Sequence, residues 1–203
     1  DPMNYHGYDY ATVQIGEQCW FAENLRNEHY ANGDAIPGEL SISEWMTTTE
    51  GAQAIYDNDA SNLADYGRLY NWYAVIDSSG LCPVGWHVSS DADWITIEME
   101  LGMSEFEANS PFMRGTDQGT QMKSSPEDDP FWEGTNTSGF LGLAGGNRAP
   151  NGSFGGEGLY GFFWSGSAGQ TNPWQRGLYD GYTTVYRYFY LPRDGISVRC
   201  VRD

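Results

Sequence analysis

The sequence predicts an α+β fold of short strands and long loops, in a single domain spanning residues 1–203. Three observations carry that expectation. Glycine makes up 26 of 203 residues, well above the average of about 7%, and it sits among Asn, Asp and Ser in turn-forming clusters. The residues that build helical bundles are scarce, with Lys123 the one lysine in the chain. Strand-like segments cluster in the last forty residues and are strongest at 183–191, TTVYRYFYL. No Pro/Ser-rich linker divides the chain, and its length suits one domain.

In chain order, residues 10–25 begin as an alternating strand with Val13 and Ile15 on one face. Gly16-Glu17 then turns the chain into a second strand carrying Cys19 and Phe21. Ile42, Trp45 and Met46 predict a short helix between turn-rich segments. Residues 57–65 form an acidic loop, and apolar spacing over 66–76 predicts a helix. Cys82–Val88 reads as a turn into a short strand. The clearest helix follows at 90–102. Ser90 caps it, Asp91 and Asp93 suit its first turn, Trp94, Ile97 and Leu101 form its apolar stripe, and Gly102 stops it. Residues 102–160 read mostly as loop; strands return at 161–165, 174–179, 183–191 and 195–201.

Charge excludes several function classes. Twenty-eight acidic against ten basic residues give a formal charge of −18, which repels nucleic-acid phosphates and anionic membrane surfaces. No apolar run of 18 residues is present for membrane insertion. Aromatic residues at 15% provide too much burial energy for a disordered chain. Asp1-Pro2 reads as the start of a mature or excised domain. Acidity of this size serves solubility in saline or extracellular settings, or attracts Ca²⁺. The acids are densest near 91–107 and 127–133, whereas residues 175–194 set Arg176, Arg187 and Arg193 against Asp180 and Asp194.

The candidate sites are few. If 183–191 is a strand, Val185, Arg187, Phe189 and Leu191 share one face, and Tyr186, Tyr188 and Tyr190 share the other. Three tyrosines on an exposed face make a binding platform, with large contact area at low entropy cost. Tyr179, Asp180, Tyr182, Arg193 and Asp194 would flank it. The alternative reading is a second buried face. Asp57, Asp59 and Asn62 could offer oxygens to Ca²⁺, but EF-hand spacing is missing, and a solvated turn is the competing reading. The three cysteines Cys19, Cys82 and Cys200 allow three pairings and contain no CxxC. His6, His29 and His87 are scattered, and no nucleophile elbow appears, so an enzyme is not expected.

Four boxes in order carry a family resemblance. They are Gln18-x-Trp20-Phe21-Ala22-Glu23-Asn24-Leu25, Tyr66-Gly67-x-Leu69-Tyr70-Asn71-Trp72-Tyr73-Ala74-Val75, Cys82-Pro83-x-Gly85-Trp86-His87-Val88 and Gly195-x-Ser197-Val198-Arg199-Cys200-Val201-Arg202-Asp203. From about residue 10 to 203 the chain resembles the Fibrobacter succinogenes major paralogous domain. That family is similar in turn to the C-type-lectin-like fold in its formylglycine-generating-enzyme-like branch. The resemblance implies two helices, a small twisted antiparallel sheet and a large loop content. It also implies a secreted, cell-surface or virion-associated protein, related to the variable proteins of diversity-generating retroelements, which include phage receptor-binding proteins. Those relatives place their binding residues near the C-terminus, which favours the tyrosine platform and a cell-surface protein or glycan as partner.

The resemblance further implies a Cys82–Cys200 disulfide. Relatives carry another cysteine where Ala54 stands, so Cys19 is left unpaired. It implies core roles for Trp164 and Trp174, and by the same argument for Trp72, Trp86 and Trp94. The lectin-type calcium motifs Glu-Pro-Asn and Trp-Asn-Asp are absent. Formylglycine-generating activity needs two nearby copper-ligating cysteines, and two of the three here are assigned to the bridge. The expected function is ligand binding, with a calcium-stabilised structural or adhesive domain as the alternative and a carbohydrate-active or oxidoreductase enzyme behind it.

Overall fold

Alternation at the N-terminus produces strands as expected. In the computed structural model, which describes residues 2–203, β1 (Met3–Tyr5) and β2 (Tyr8–Tyr10) form a hairpin. Its turn residues His6 and Gly7 both take positive φ, the backbone that two-residue hairpin turns require. The next hairpin joins β3 (Thr12–Ile15) to β4 (Gln18–Phe21). At its turn, Gly16 has φ +57 and a Cβ there would lie 2.7 Å from Glu100, so glycine serves both the bend and the close approach.

The middle of the chain is richer in structure than its composition suggests. It contains α1 (Ile42–Thr47), β5 (Gln53–Ala54), α2 (Asn62–Tyr66), β6 (Leu69–Tyr70), α3 (Trp72–Val75), β7 (Trp86–Val88), α4 (Asp91–Glu100), α5 (Glu105–Asn109), β8 (Phe112–Arg114) and α6 (Gln118–Met122). The C-terminal part contains β9 (Gly145–Arg148), β10 (Phe154–Glu157), β11 (Tyr160–Ala168), β12 (Pro173–Tyr179), β13 (Val185–Phe189) and β14 (Cys200–Arg202).

A six-stranded sheet runs β10-β9-β11-β12-β13-β8, and a four-stranded sheet runs β3-β4-β14-β7. Strand β5 pairs with β6. The pairings are antiparallel except for a short parallel contact between β11 and β9. Alternation along β11 feeds two cores. Phe162 and Trp164 join Phe21, Tyr70, Ile196 and Cys200 in one. Phe163 joins Trp20, Trp94, Phe140 and Val185 in the other.

Several expectations are corrected. Two helices become six short ones among the described residues, of which α4 alone exceeds two turns. The helix expected over 66–76 shrinks to α3. Leu69 and Tyr70 are instead drawn into a strand by pairing with Ala54 and Gln53, and the Tyr70 amide donates to the Ile196 carbonyl. Asn71 then caps α3 by accepting from the Ala74 amide. The acidic loop at 57–65 becomes a 3-10 turn at Tyr56–Asn58 followed by α2. The expected loop at 102–160 holds α5, β8, α6, β9 and β10. Trp94 and Trp164 are fully buried as expected. Trp72 and Trp86 are partly buried at the margin of the first core, and Trp174 is half-buried near the start of β12, stacked on Phe189 of β13.

Helix α4 behaves as its sequence dictates. Ser90 accepts from the Asp93 amide while the Asp93 carboxylate accepts from the Ser90 amide, a reciprocal cap worth about 1 kcal/mol. Asp93 is also one wall of a His87 site. His87 bonds Asp93 through Nε2 at 2.9 Å and Asp203 through Nδ1 at 2.7 Å. Partial burial alone would lower the His87 pKa, but the hydrogen bonds and charge of Asp93 and Asp203 outweigh it, and the net shift is upward. A raised folded-state pKa means stability that is complete below the unfolded value and is lost as pH rises through the folded value. Because His87 is 42% exposed, screening limits this to about 0.5 kcal/mol. Melting temperature should therefore fall by about 1–2 °C between about pH 6 and pH 8 relative to His87→Gln. Parallel curves for the two proteins would refute the assignment.

The cysteine pattern resolves. Cys82 and Cys200 form a disulfide across 118 residues, tying the turn before β7 to β14, while Cys19 is free and half-buried.

Candidate functional site

Strand β13 has the two faces its alternation predicts. Val185 and Arg187 are buried, while Tyr186 and Tyr188 on the other face are half-exposed. The register places Tyr186 opposite Gly177 of β12 and Met113 of β8, and Tyr188 opposite Gln175. Gly177 has a positional reason, since a Cβ there would lie 2.7 Å from the Tyr179 ring. The bare backbone lets Tyr179 lie across the strand.

A continuous row of rings results. Phe112 stacks on Tyr188 at 5.1 Å between centroids, Tyr188 meets Tyr186 at 5.8 Å, and Tyr186 meets Tyr179 edge-on at 5.5 Å. Tyr182, 54% exposed, joins Tyr179 at 6.2 Å. The inner end continues through Tyr179 to Phe162 of the core. Offset and edge-on contacts of this kind add about 0.5–1.5 kcal/mol each beyond area burial. The tyrosine hydroxyls of this row make no hydrogen bond to any described residue and are not shut off from solvent. Burial raises the pKa of Tyr186, with the Tyr188 hydroxyl adding to it, so its phenol is neutral at physiological pH.

The face behind the rings is an ion-pair network. Arg187 Nη2 and Nε bond the two oxygens of Asp91 at 2.7 and 3.0 Å, and Nη1 donates to the Asn109 carbonyl. Its guanidinium also lies 3.8 Å from the Trp174 ring centroid. Arg176 bonds Asp91 and Glu98, both at 2.7 Å, and Arg114 grips both oxygens of Glu98 at 2.6 Å. Burial alone would raise the Asp91 carboxyl, but Arg187 and Arg176 together hold it below its ordinary value. Burial pulls the Arg114 guanidinium down to about 10 against the opposing charge of Glu98. Asp91, Trp94 and Glu98 lie one turn apart on α4, so a single helix face carries the carboxylates for three strands.

The turn between β12 and β13 is clamped separately. Lys123, 1% exposed, donates to the carbonyls of Tyr179 and Tyr182 at 2.6 and 2.7 Å and pairs with Glu133. Glu133 also accepts from the Gly181 amide, and Asp180 accepts from the Trp132 indole.

Of the predicted site residues, the structure gathers Tyr179, Asp180, Tyr182, Tyr186 and Tyr188. It directs the other three elsewhere. Strand β13 ends at Phe189, but the Tyr190 amide still donates to the Pro173 carbonyl of β12, and the Tyr190 ring packs against Phe162 and Trp164 of the core. Asp194 is 7% exposed and accepts from the Leu191 amide, closing a turn; burial lifts its carboxyl to about 6. Arg193 donates to the Thr48 carbonyl while its own carbonyl takes the Trp45 indole proton. The near-neutral balance expected for 175–194 is also corrected, because Arg176 and Arg187 are buried on the opposite face.

The residues considered for calcium serve turns. Asp59 accepts from the Ser61 amide and hydroxyl, and the Asn62 side-chain Nδ2 donates to the Tyr56 carbonyl. Asp57 is exposed with φ 53. Among the described residues, no group of three or more His, Cys, Asp or Glu side chains is placed to hold a metal ion.

The model of the Fibrobacter succinogenes major domain matches residues 13–202. The chain belongs to this family. No curated protein and no solved structure matches it. All six strands of the large sheet, the Lys123 clamp and the Asp91–Glu98 network therefore lie within the family domain.

The sequence reading missed Glu98, Arg114 and Lys123. A signal for the first was present: Glu98 falls on the same helical stripe as Trp94, and an acid on an apolar stripe needs a buried cation.

Proposed function

We propose that the domain is a non-enzymatic recognition module, displayed on a cell or virion surface, that binds a cell-surface protein or glycan through the aromatic face of β12, β13 and β8. The observation that carries this reading is the ring row from Phe112 to Tyr179, half-exposed in front and held behind by Arg187, Asp91 and Arg176. Side chains fixed before binding lose little entropy on binding. The buried Gln175 amide, the register partner of Tyr188 on the same face, has no hydrogen-bond partner for either polar atom, which costs about 1–3 kcal/mol. The resemblance to C-type-lectin-like proteins supports the same surface and a C-type-lectin-like reading of the mixed α/β fold.

The test applies labelled protein to a glycan array and to intact bacterial cells. Tyr186→Ser/Tyr188→Ser should lose at least about tenfold in affinity, or 1.4 kcal/mol. Val84→Ser, at a position 93% exposed, should bind as the parent does. Equal binding by parent and tyrosine variant would remove the aromatic face from the account.

A further inference from the structure

The geometry points to a second binding site, for a neutral saccharide, in a cavity of about 610 Å³ that shares no residue with the aromatic face. Its volume lies within the roughly 300–1,000 Å³ of small-molecule sites. Arg68, Gln53 and Asn58 supply donors, Glu28 and Glu39 supply carboxylates, and Ile36 and Ile55 supply apolar wall.

Two independent features mark it as built. Gln53 is 5% exposed, and its Oε1 accepts from Arg68 Nη1 at 2.8 Å, yet its Nε2 donates to no described residue. That nitrogen is left uncovered by Gly38, where a Cβ would stand 2.2 Å from it. A donor with no partner in the chain, held by an otherwise buried side chain and open to the cavity, is free to meet a ligand acceptor. The second feature is backbone strain. Glu39 (φ 54) and Asn58 (φ 55) line the cavity in left-handed conformations, and non-glycine residues held this way cluster at ligand sites.

The donor set selects the ligand class. Arg68 is fixed by bonds to the Arg26 carbonyl, Gln53 and Glu28, which uses three of its five N–H groups. Glu28 neutralises it and Glu39 adds a further negative charge, so an anion is disfavoured. A cation would face the Arg68 and Gln53 donors. A hydroxyl group both donates and accepts, and vicinal hydroxyls match an amide beside a carboxylate. The sugar's C–H edge would rest on Ile36 and Ile55.

The experiment is a two-dimensional NMR titration of the full, ¹⁵N-labelled chain with glucose, galactose, mannose and N-acetylglucosamine, each to about 50 mM, a range that detects even millimolar binding. Glucuronate and glucosamine serve as charged counterparts. At least one neutral sugar should shift the Gln53 side-chain NH₂, the Arg68 Nε–H and the Gly38 amide. Glu39→Gly and Asn58→Gly should each weaken that binding at least fivefold, about 1 kcal/mol. Both variants should melt no lower than the parent, because glycine relieves the left-handed backbone. The proposal fails if no neutral sugar shifts these signals, if a charged counterpart binds as tightly, or if both variants bind unchanged. Shifts confined to the Tyr186 and Tyr188 amides would also overturn it, placing the sugar on the aromatic face instead.

Discussion

Replacing Glu98 by Gln should destabilise the fold by about 3–5 kcal/mol, the usual consequence of removing one partner from a buried ion pair. Glu98 is 0% exposed, takes both Nη2 contacts of Arg114 and accepts from Arg176 Nε. Glutamine keeps the shape but removes the charge, and its amide NH₂ would face a guanidinium. Three buried guanidiniums, those of Arg114, Arg176 and Arg187, would then be left with Asp91 as the one carboxylate of the network, and Arg114 would lose its partner outright. Urea unfolding should show the loss in midpoint with an unchanged slope. The proposed binding face should loosen as well, since Arg176 and Arg187 meet on Asp91 on the side of β13 opposite Tyr186. A loss below about 1 kcal/mol would mean that packing alone holds the sheet on α4.

The second large effect concerns the disulfide. Cys82→Ala/Cys200→Ala should lower stability by about 4–5 kcal/mol in the chain-entropy description of so long a loop, whose ends lie 118 residues apart. Reduction of the parent should reproduce the loss. Cys19→Ser should change little, because Cys19 is free and half-buried. If the double variant and the reduced parent unfold at the parent's oxidised midpoint, the bridge contributes nothing and the terminal β4–β14–β7 pairing closes the domain by itself.

What the sequence reveals here is local order. Ser90 with Asp93 marks the start of α4, and TTVYRYFYL separates Tyr186 and Tyr188 from Arg187. The four family boxes assign Cys82 to Cys200. What it conceals depends on distant partners. Arg176 meets Glu98 from 78 residues away, and Lys123 reaches Tyr179 across 56. Periodicity cannot encode either pairing. The 66–76 segment shows the same limit: its apolar spacing fits a helix, but the edges offered by Gln53–Ala54 and Ile196 take Leu69 and Tyr70 into pairing. Tyr190 continues the tyrosine alternation in sequence, yet at its position the same face runs into the core, and its ring packs against Phe162 and Trp164, which no local pattern announces.

The central claim is that the aromatic face is where a partner binds, and hydroxyl-radical footprinting of the protein free and bound to its cell or array target tests it most directly. Oxidation of Phe112, Met113, Tyr182, Tyr186 and Tyr188 should fall several-fold on binding, while Val84 and Ile42, both exposed, should label equally in both states. Protection at Val84 or Ile42, with the five residues of the aromatic face labelled as in the free protein, would contradict the account.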